Sequence, residues 1–226
     1  MSAVTKLAKQ IGLDTEKLLG DWIACIPGFT LQKYRQLQRS QLSIFSVNCF
    51  GGSLSHTLGL PFRSPFVNLF LTGQDFIKFL QHPRIYIEDT PVFEKMDGFS
   101  PNYPNGYPVF NLGNISLNMM HYTKVDEALK KWNGRKQRIN WNNILVICNT
   151  EDRNILEQFD ALTYGKKICI VSFKSDLYSA FYVDKKIRSD LKEWWRILDG
   201  FSRGDPFYYD PFDMLLYGKK TPLIKM

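Results

Sequence analysis

Cys49 lies where a cysteine can do chemistry, in the turn Asn48-Cys49-Phe50-Gly51-Gly52. That turn follows the apolar run 42–47 and leads into a stretch with helical spacing. The thiolate is the nucleophilic form of cysteine, and the start of a helix favours it. Glycines let a backbone turn tightly and offer bare N–H groups to an anion. Cys49 is therefore expected to act as a nucleophile or within an oxyanion site. The plain alternative is a small hydrophobe beside glycines that serve only packing.

His121 precedes Tyr122 and follows five residues of β character. An imidazole within hydrogen-bond reach of a thiol can take its proton, so His121 is the candidate general base, against the alternative of a structural histidine. His56, inside the helical stretch, and His82, before Pro83, carry weaker signals. Arg135, Arg138 and Asn140 close a basic stretch, and a guanidinium fork suits a carboxylate or phosphate. Cations near a helix C-terminus are also favourable for dipole reasons alone. No GxGxxG, GxxxxGK[ST] or DxD pattern occurs. The four cysteines (25, 49, 148, 169) and three histidines have no zinc spacing, so no metal site is expected.

Elements must gather these groups. Strand character is read at 42–47, 84–88, 109–112, 115–120, 143–148 and 166–173, with a turn at Gly113-Asn114. Helices are read at 31–38, at 73–80 and at 124–138, where Val125, Ala128, Leu129 and Trp132 share one face. Another is read after Thr150, its expected cap, with Ile155, Leu156, Phe159 and Leu162 inward. An earlier short helix, capped by Asp14, carries Leu18, Leu19, Trp22 and Ile23 up to the break at Pro27-Gly28. This alternation predicts an α/β fold: a mostly parallel sheet with helices on both faces, three-layered and Rossmann-like. It is read as one domain over 1–226, with a helical arm at 1–40, a core at 41–175 and an irregular wrapping tail at 176–226. In such sheets ligands bind beyond the carboxyl ends of the strands. The strand at 143–148 ends at Asn149-Thr150-Glu151-Asp152, and the one at 166–173 at Lys174-Ser175. If the strands run parallel, Cys49 and His121 share one rim.

The chain has 226 residues, 44% of them hydrophobic and 15% aromatic, which argues against disorder. Its formal charge of +7 favours an anionic small molecule or saccharide as partner. Residues 128–150 contribute Lys130, Lys131, Arg135, Lys136 and Arg138 without one acid. Nucleic acid is not expected, because neither a recognition motif nor an interleaved aromatic platform accompanies the patch. No run approaches the roughly 20 apolar residues of a membrane span, and the N-terminus lacks the apolar core of a signal peptide. A cytoplasmic chain is expected. Its basic N-terminal arm, with Lys33, Arg35 and Arg39 exposed, packs on the domain or on a second subunit, or touches the inner face of a membrane.

Several stretches together resemble a known family. They are Ser46-Val-Asn-Cys-Phe-Gly-Gly52 with the following 58–68; Tyr107-Pro108 with His121-Tyr122; Trp132-Asn-Gly-Arg135-Lys-Gln-Arg138-Ile-Asn140; and, more weakly, Gln158-Phe159-Asp160 with Lys166-Lys167. In order and spacing they are similar to an uncharacterised family, domain of unknown function nineteen-nineteen, found in bacterial exopolysaccharide and capsule biosynthesis clusters. The resemblance spans about residues 40 to 175. Phe50 stands where the family more often has Trp. The resemblance implies a site at Asn48, Cys49, Gly51 and Gly52, shaped by Pro65 and Asn68 and lined by His121, Arg135, Arg138 and Asn140. It implies a sugar-modifying transferase of surface-polysaccharide synthesis, with acyl-coenzyme A or a nucleotide-sugar as donor. Acyl transfer suits a Cys-His pair better than glycosyl transfer does. A non-catalytic module holding a nucleotide-sugar or lipid-linked intermediate is the rival reading, and a cysteine hydrolase a third.

Overall fold

The computed structural model describes residues 23–101, 104–183 and 209–223. The helix expected after Asp14 lies almost wholly outside them. Two sheets organise the described chain. The first is parallel and has four strands, β1 (Ser43–Ser46), β5 (Ile144–Thr150), β6 (Lys166–Val171) and β7 (Ala180–Tyr182), in that spatial order. The second is antiparallel, with order β2 (Val92–Asp97), β3 (Tyr107–Leu112) and β4 (Ile115–Asn118). This corrects the expectation of one mostly parallel sheet. The turn at Gly113-Asn114 joins β3 to β4, and a two-residue connection admits only antiparallel neighbours.

Successive residues of a strand face opposite ways, and the parallel sheet has a core on each side. Phe45, Val47, Val146, Cys148, Cys169 and Val171 pack against α3 (Gly73–Gln81), the antiparallel sheet, α5 (Val125–Lys136) and α6 (Arg153–Asp160). Ile44, Leu145, Ile147, Ile168 and Ile170 face α1 (Leu31–Arg39), α2 (Phe50–Thr57) and α7 (Pro211–Tyr217) through Leu37, Phe50, Leu54, Phe212 and Met214. Cys148 and Cys169 are register partners on β5 and β6, both fully buried. Their mutual hydrogen bond, with burial, holds the Cys169 thiol well above its ordinary value. Cys25 is exposed and Cys49 half-buried.

Three further readings change. Residues 83–88 form a helix, α4 (Pro83–Glu88), not a strand: Pro83 takes the first helical position, where its fixed φ suits a helix and its missing N–H costs nothing. The cap of α6 is Asp152, which accepts from Asn154 N at 2.8 Å, while Thr150 accepts from Asp152 N at 3.0 Å. The tail, expected to wrap the domain as loops and short helices, supplies the short helix α7 but also a fourth parallel strand, β7, which was not expected.

α1 docks on α7, and the contact is electrostatic as well as apolar. Lys33 Nζ lies 2.7 Å from a carboxylate oxygen of Asp210 and 2.7 Å from one of Asp213. Lys33 was expected to be exposed; it is half-buried and paired, while Arg35 and Arg39 are exposed as expected. Burial lowers the pKa of Lys33, but the two carboxylates outweigh it and the net shift is upward. Asp210 also caps α7, accepting from Phe212 N at 2.8 Å and Asp213 N at 3.1 Å. Among the described residues, no helix is long and apolar enough to cross a membrane.

Candidate functional site

β1 ends at Ser46, and the next residues build a closely bonded turn. The Ser46 hydroxyl donates to Asn48 O at 2.6 Å and accepts from Gly51 N at 3.1 Å. Asn48 Oδ1 accepts from Phe50 N at 3.0 Å, which fixes the amide so that Nδ2 donates to Asn149 Oδ1 at 2.8 Å. The carboxyl ends of β1 and β5 are thus tied by two asparagine side chains. Cys49 occupies the position just before the first turn of α2, without a side-chain capping bond. Its sulfur lies 3.7 Å from Leu69 O, within reach of a weak hydrogen bond.

The turn already uses part of what its N–H groups were expected to offer. The Phe50 and Gly51 N–H groups are not bare, since side-chain oxygens of the turn already accept from them. Both glycines also answer to packing. A Cβ on Gly51 would lie 2.7 Å from Ile44 Cγ2 and 2.8 Å from Ser46 Oγ; one on Gly52 would lie 3.0 Å from Val67 Cγ1. Glycine is what lets α2 lie against β1 and the segment 67–71.

That segment brings the second sequence candidate toward the first. On one side it meets the end of β1, where Leu71 N donates to Val47 O at 2.8 Å and the Cys49 sulfur sits at Leu69 O. On the other it pairs with the end of β4, Phe70 and Asn118 exchanging backbone bonds of 3.0 and 3.1 Å. Three residues past β4, His121 N donates to Asn68 O at 3.4 Å. Cys49 and His121 therefore contact successive residues, Leu69 and Asn68. The expected shared rim does not produce this, because β4 belongs to the antiparallel sheet. His121 is exposed and Cys49 half-buried. Asn68 takes φ 65°, the left-handed region that asparagine tolerates better than most residues.

The basic candidates are held by the protein itself. Arg135 is only 8% exposed, and its Nη1 donates to Val67 O at 3.0 Å and to the Tyr122 hydroxyl at 2.7 Å. No carboxylate pairs with it among the described residues; the Phe62 ring lies 5.5 Å from its guanidinium carbon. Burial raises the pKa of Tyr122, against the opposing pull of Arg135. Arg135 thus holds the two backbone stretches that carry Asn68 and His121, and does not stand on an open basic patch. Arg138 is exposed, with Nε donating to Gly134 O at 3.1 Å and Nη1 to Phe62 O at 3.4 Å. Asn140 lies elsewhere: it bonds Ser43 Oγ at 2.8 Å and Gln41 O at 3.2 Å, at the start of β1, the end opposite Cys49. Pro65 is buried, two residues before Val67.

Three contributors were not singled out from the sequence. Ser46 looks like any strand residue there, and nothing local marks its double bond. Asn149 had a signal, its place just past a strand end. Tyr122 had one too, as the buried neighbour of an exposed histidine. No group of three or more His, Cys, Asp or Glu able to hold a metal occurs among the described residues. Surface hollows of about 820 Å³ beside Arg35 and Arg39, and of about 430 Å³ beside His82, Trp141 and Tyr164, touch neither Cys49 nor His121.

Known proteins share this chain's sequence well beyond the turn. A protein of Haemophilus influenzae (strain ATCC 51907 / DSM 11121 / KW20 / Rd), described as an uncharacterized protein, is 30% identical over 192 residues, which cover 81% of this chain and 86% of that protein. A family profile matches residues 25–217, taking in α1 and α7 as well as the stretch between them. By that match the chain belongs to the family described as Domain of unknown function (DUF1919).

Proposed function

We propose that this chain is a transferase of bacterial exopolysaccharide or capsule biosynthesis that moves an acyl group onto a sugar, at the cytoplasmic side of the membrane. The observation that carries the reading is that Cys49, at the start of α2 and beyond the carboxyl end of β1, and His121 meet successive residues, Leu69 and Asn68, of one segment. A Cys-His pair suits acyl transfer because a thiolate attacks a thioester readily. His121 takes the Cys49 proton, and the sulfur attacks the carbonyl carbon of an acyl-coenzyme A. The coenzyme A thiolate leaves and collects that proton. A sugar hydroxyl then attacks the acyl-Cys49, passing its proton to His121, which returns it to the Cys49 sulfur. Asn149 Nδ2, turned away from Asn48 by the hydrogen-bond chain, is the donor next to the turn best suited to the substrate oxygen.

A non-catalytic module that holds a nucleotide-sugar or lipid-linked intermediate is the second reading. It is favoured by one observation: the Phe50 and Gly51 amides, natural donors to an oxyanion, are already bonded within the turn.

The two readings part in a direct experiment. Purified protein incubated with acetyl-coenzyme A should gain one acetyl group by mass spectrometry, and Cys49→Ala should gain none. In cells, Cys49→Ala and His121→Ala should each abolish polymer acylation while the melting temperature is kept. No adduct and unaltered polymer in both variants would sink the transferase and leave the module. For the module, a nucleotide-sugar at 100 times its dissociation constant should stabilise the fold by about 2.7 kcal/mol in a thermal-shift assay.

A further inference from the structure

The antiparallel sheet ends at β2, whose outer edge is paired with nothing among the described residues. The edge is apolar in an uneven way. Val92 is 65% exposed, Phe93 42% and, just past the strand, Phe99 64%. A bulge between Phe93 and Lys95 puts two residues where one would fit, so that Phe93 and Met96 both lie on the face that packs inward, opposite Phe110 and Pro108. Phe110 is fully buried on that face, and its ring meets Phe93 at 5.9 Å. The inner face thus continues to the edge and stops half-covered at Phe93. Lys95 and Asp97 point the other way and pair with each other at 3.0 Å.

Backbone direction decides what can be added. Pro108, opposite Met96, has no N–H, and its carbonyl accepts from Met119 N at 3.0 Å, on the side away from β2. Met96 and Pro108 are therefore a non-hydrogen-bonded pair, and the Met96 N–H and C=O face the open edge. Two antiparallel copies of β2 related by a twofold axis must bring outward-facing residues opposite each other, and centring the axis on Met96 does so. That register sets Lys95 of each copy opposite Asp97 of the other, on the outer face. On the inner face it sets Met96 against Met96 and turns Phe93 toward the Phe99 end of the other copy.

We propose that β2 is a self-association edge, through which two copies of this chain join their three-stranded sheets into one of six strands. The occupant is a second copy because the charge pattern complements itself: Lys95 and Asp97 lie symmetrically about Met96, so each copy supplies one partner to each of two cross-strand ion pairs. Opposite charges directly across a strand pair are favourable, and like charges are not. The contact is short, in the class below roughly 1,200 Å² that marks transient association, so the dimer should dissociate on dilution.

Sedimentation velocity on the full chain, run over a dilution series, tests this. The expected result is a concentration-dependent shift from the 26.3 kDa chain toward twice that mass. Met96→Pro removes an N–H that β3 does not use, so it should abolish the shift while leaving the circular dichroism unchanged. Lys95→Asp and Asp97→Lys should each weaken association at least tenfold, and the double exchange should restore it. These two positions are exposed and leave the core intact should proline prove disruptive. A chain that stays monomeric at every concentration overturns the proposal. So does a dimer indifferent to both the charge exchange and Met96→Pro, since it would form elsewhere.

Discussion

Arg135 is a buried cation with partners inside the protein, and its substitution separates two roles. Its hydrogen bonds reach Val67 O and the Tyr122 hydroxyl, 68 and 13 residues away in sequence. Arg135→Met should leave both groups without their donor in a buried setting and cost about 2 kcal/mol or more, read as a fall in melting temperature. Had Arg135 served mainly to hold a substrate phosphate, the variant would keep its melting temperature and lose only ligand binding. The same distances explain what the sequence could show at this scale. The turn around Cys49 was legible because its chemistry is local: Asn, Cys and two glycines within five residues. The burial of Arg135 and the distance of Asn140 from Cys49 were not, because their partners, Val67, Tyr122 and Ser43, are brought by other elements. Even within the turn, glycines that look like anion donors are indistinguishable in sequence from glycines that permit close packing.

Helix α1 is fastened to α7 by one lysine between two carboxylates, which makes that contact sensitive to pH in both directions. Burial raises the pKa of Asp213, but the hydrogen bonds from Lys33 and Thr221 outweigh it, and the net value falls below the ordinary 3.8. Its contribution is therefore complete above that value and lost as pH falls through the lower folded value. The pKa of Lys33 is raised above 10.5, so its share is complete below that and lost as pH rises through the folded value. Lys33→Met should lower this plateau, seen as a melting temperature that varies less between pH 3 and pH 7 than in the parent chain. Helices with a clear apolar face, such as α3, α5 and α6, were legible from their spacing. The segment at 83–88 was not, because Ile-Tyr-Ile suits a strand as well as a turn of helix, and only Pro83 favours the latter. The separate hairpin was half legible: its turn fixes the pairing of β3 with β4, but no residue announces that β2 closes a second sheet.

At the scale of the molecule, the chain needs both of its ends to finish its interior. Leu37 of α1 and Phe212, Met214 and Leu215 of α7 complete the core that covers Ile44, Leu145 and Ile147. Division into an arm, a core at 41–175 and a tail could not foresee this, since apolar residues at the chain ends look the same whether they wrap loosely or seal a face. A fragment limited to 41–175 should expose that face, bind a hydrophobic dye strongly and aggregate, while the full chain should not; equal dye binding by the two would contradict the shared core. The thiols of the two inner strands give this architecture a gauge of its own. Cys148 and Cys169 stay shut away while any of the sheet persists, whereas Cys25 lies open and Cys49 half-open. A reagent that tags sulfur would therefore stop short on the native chain and reach four only when the sheet comes apart, so counting tags over time clocks how often the whole molecule opens.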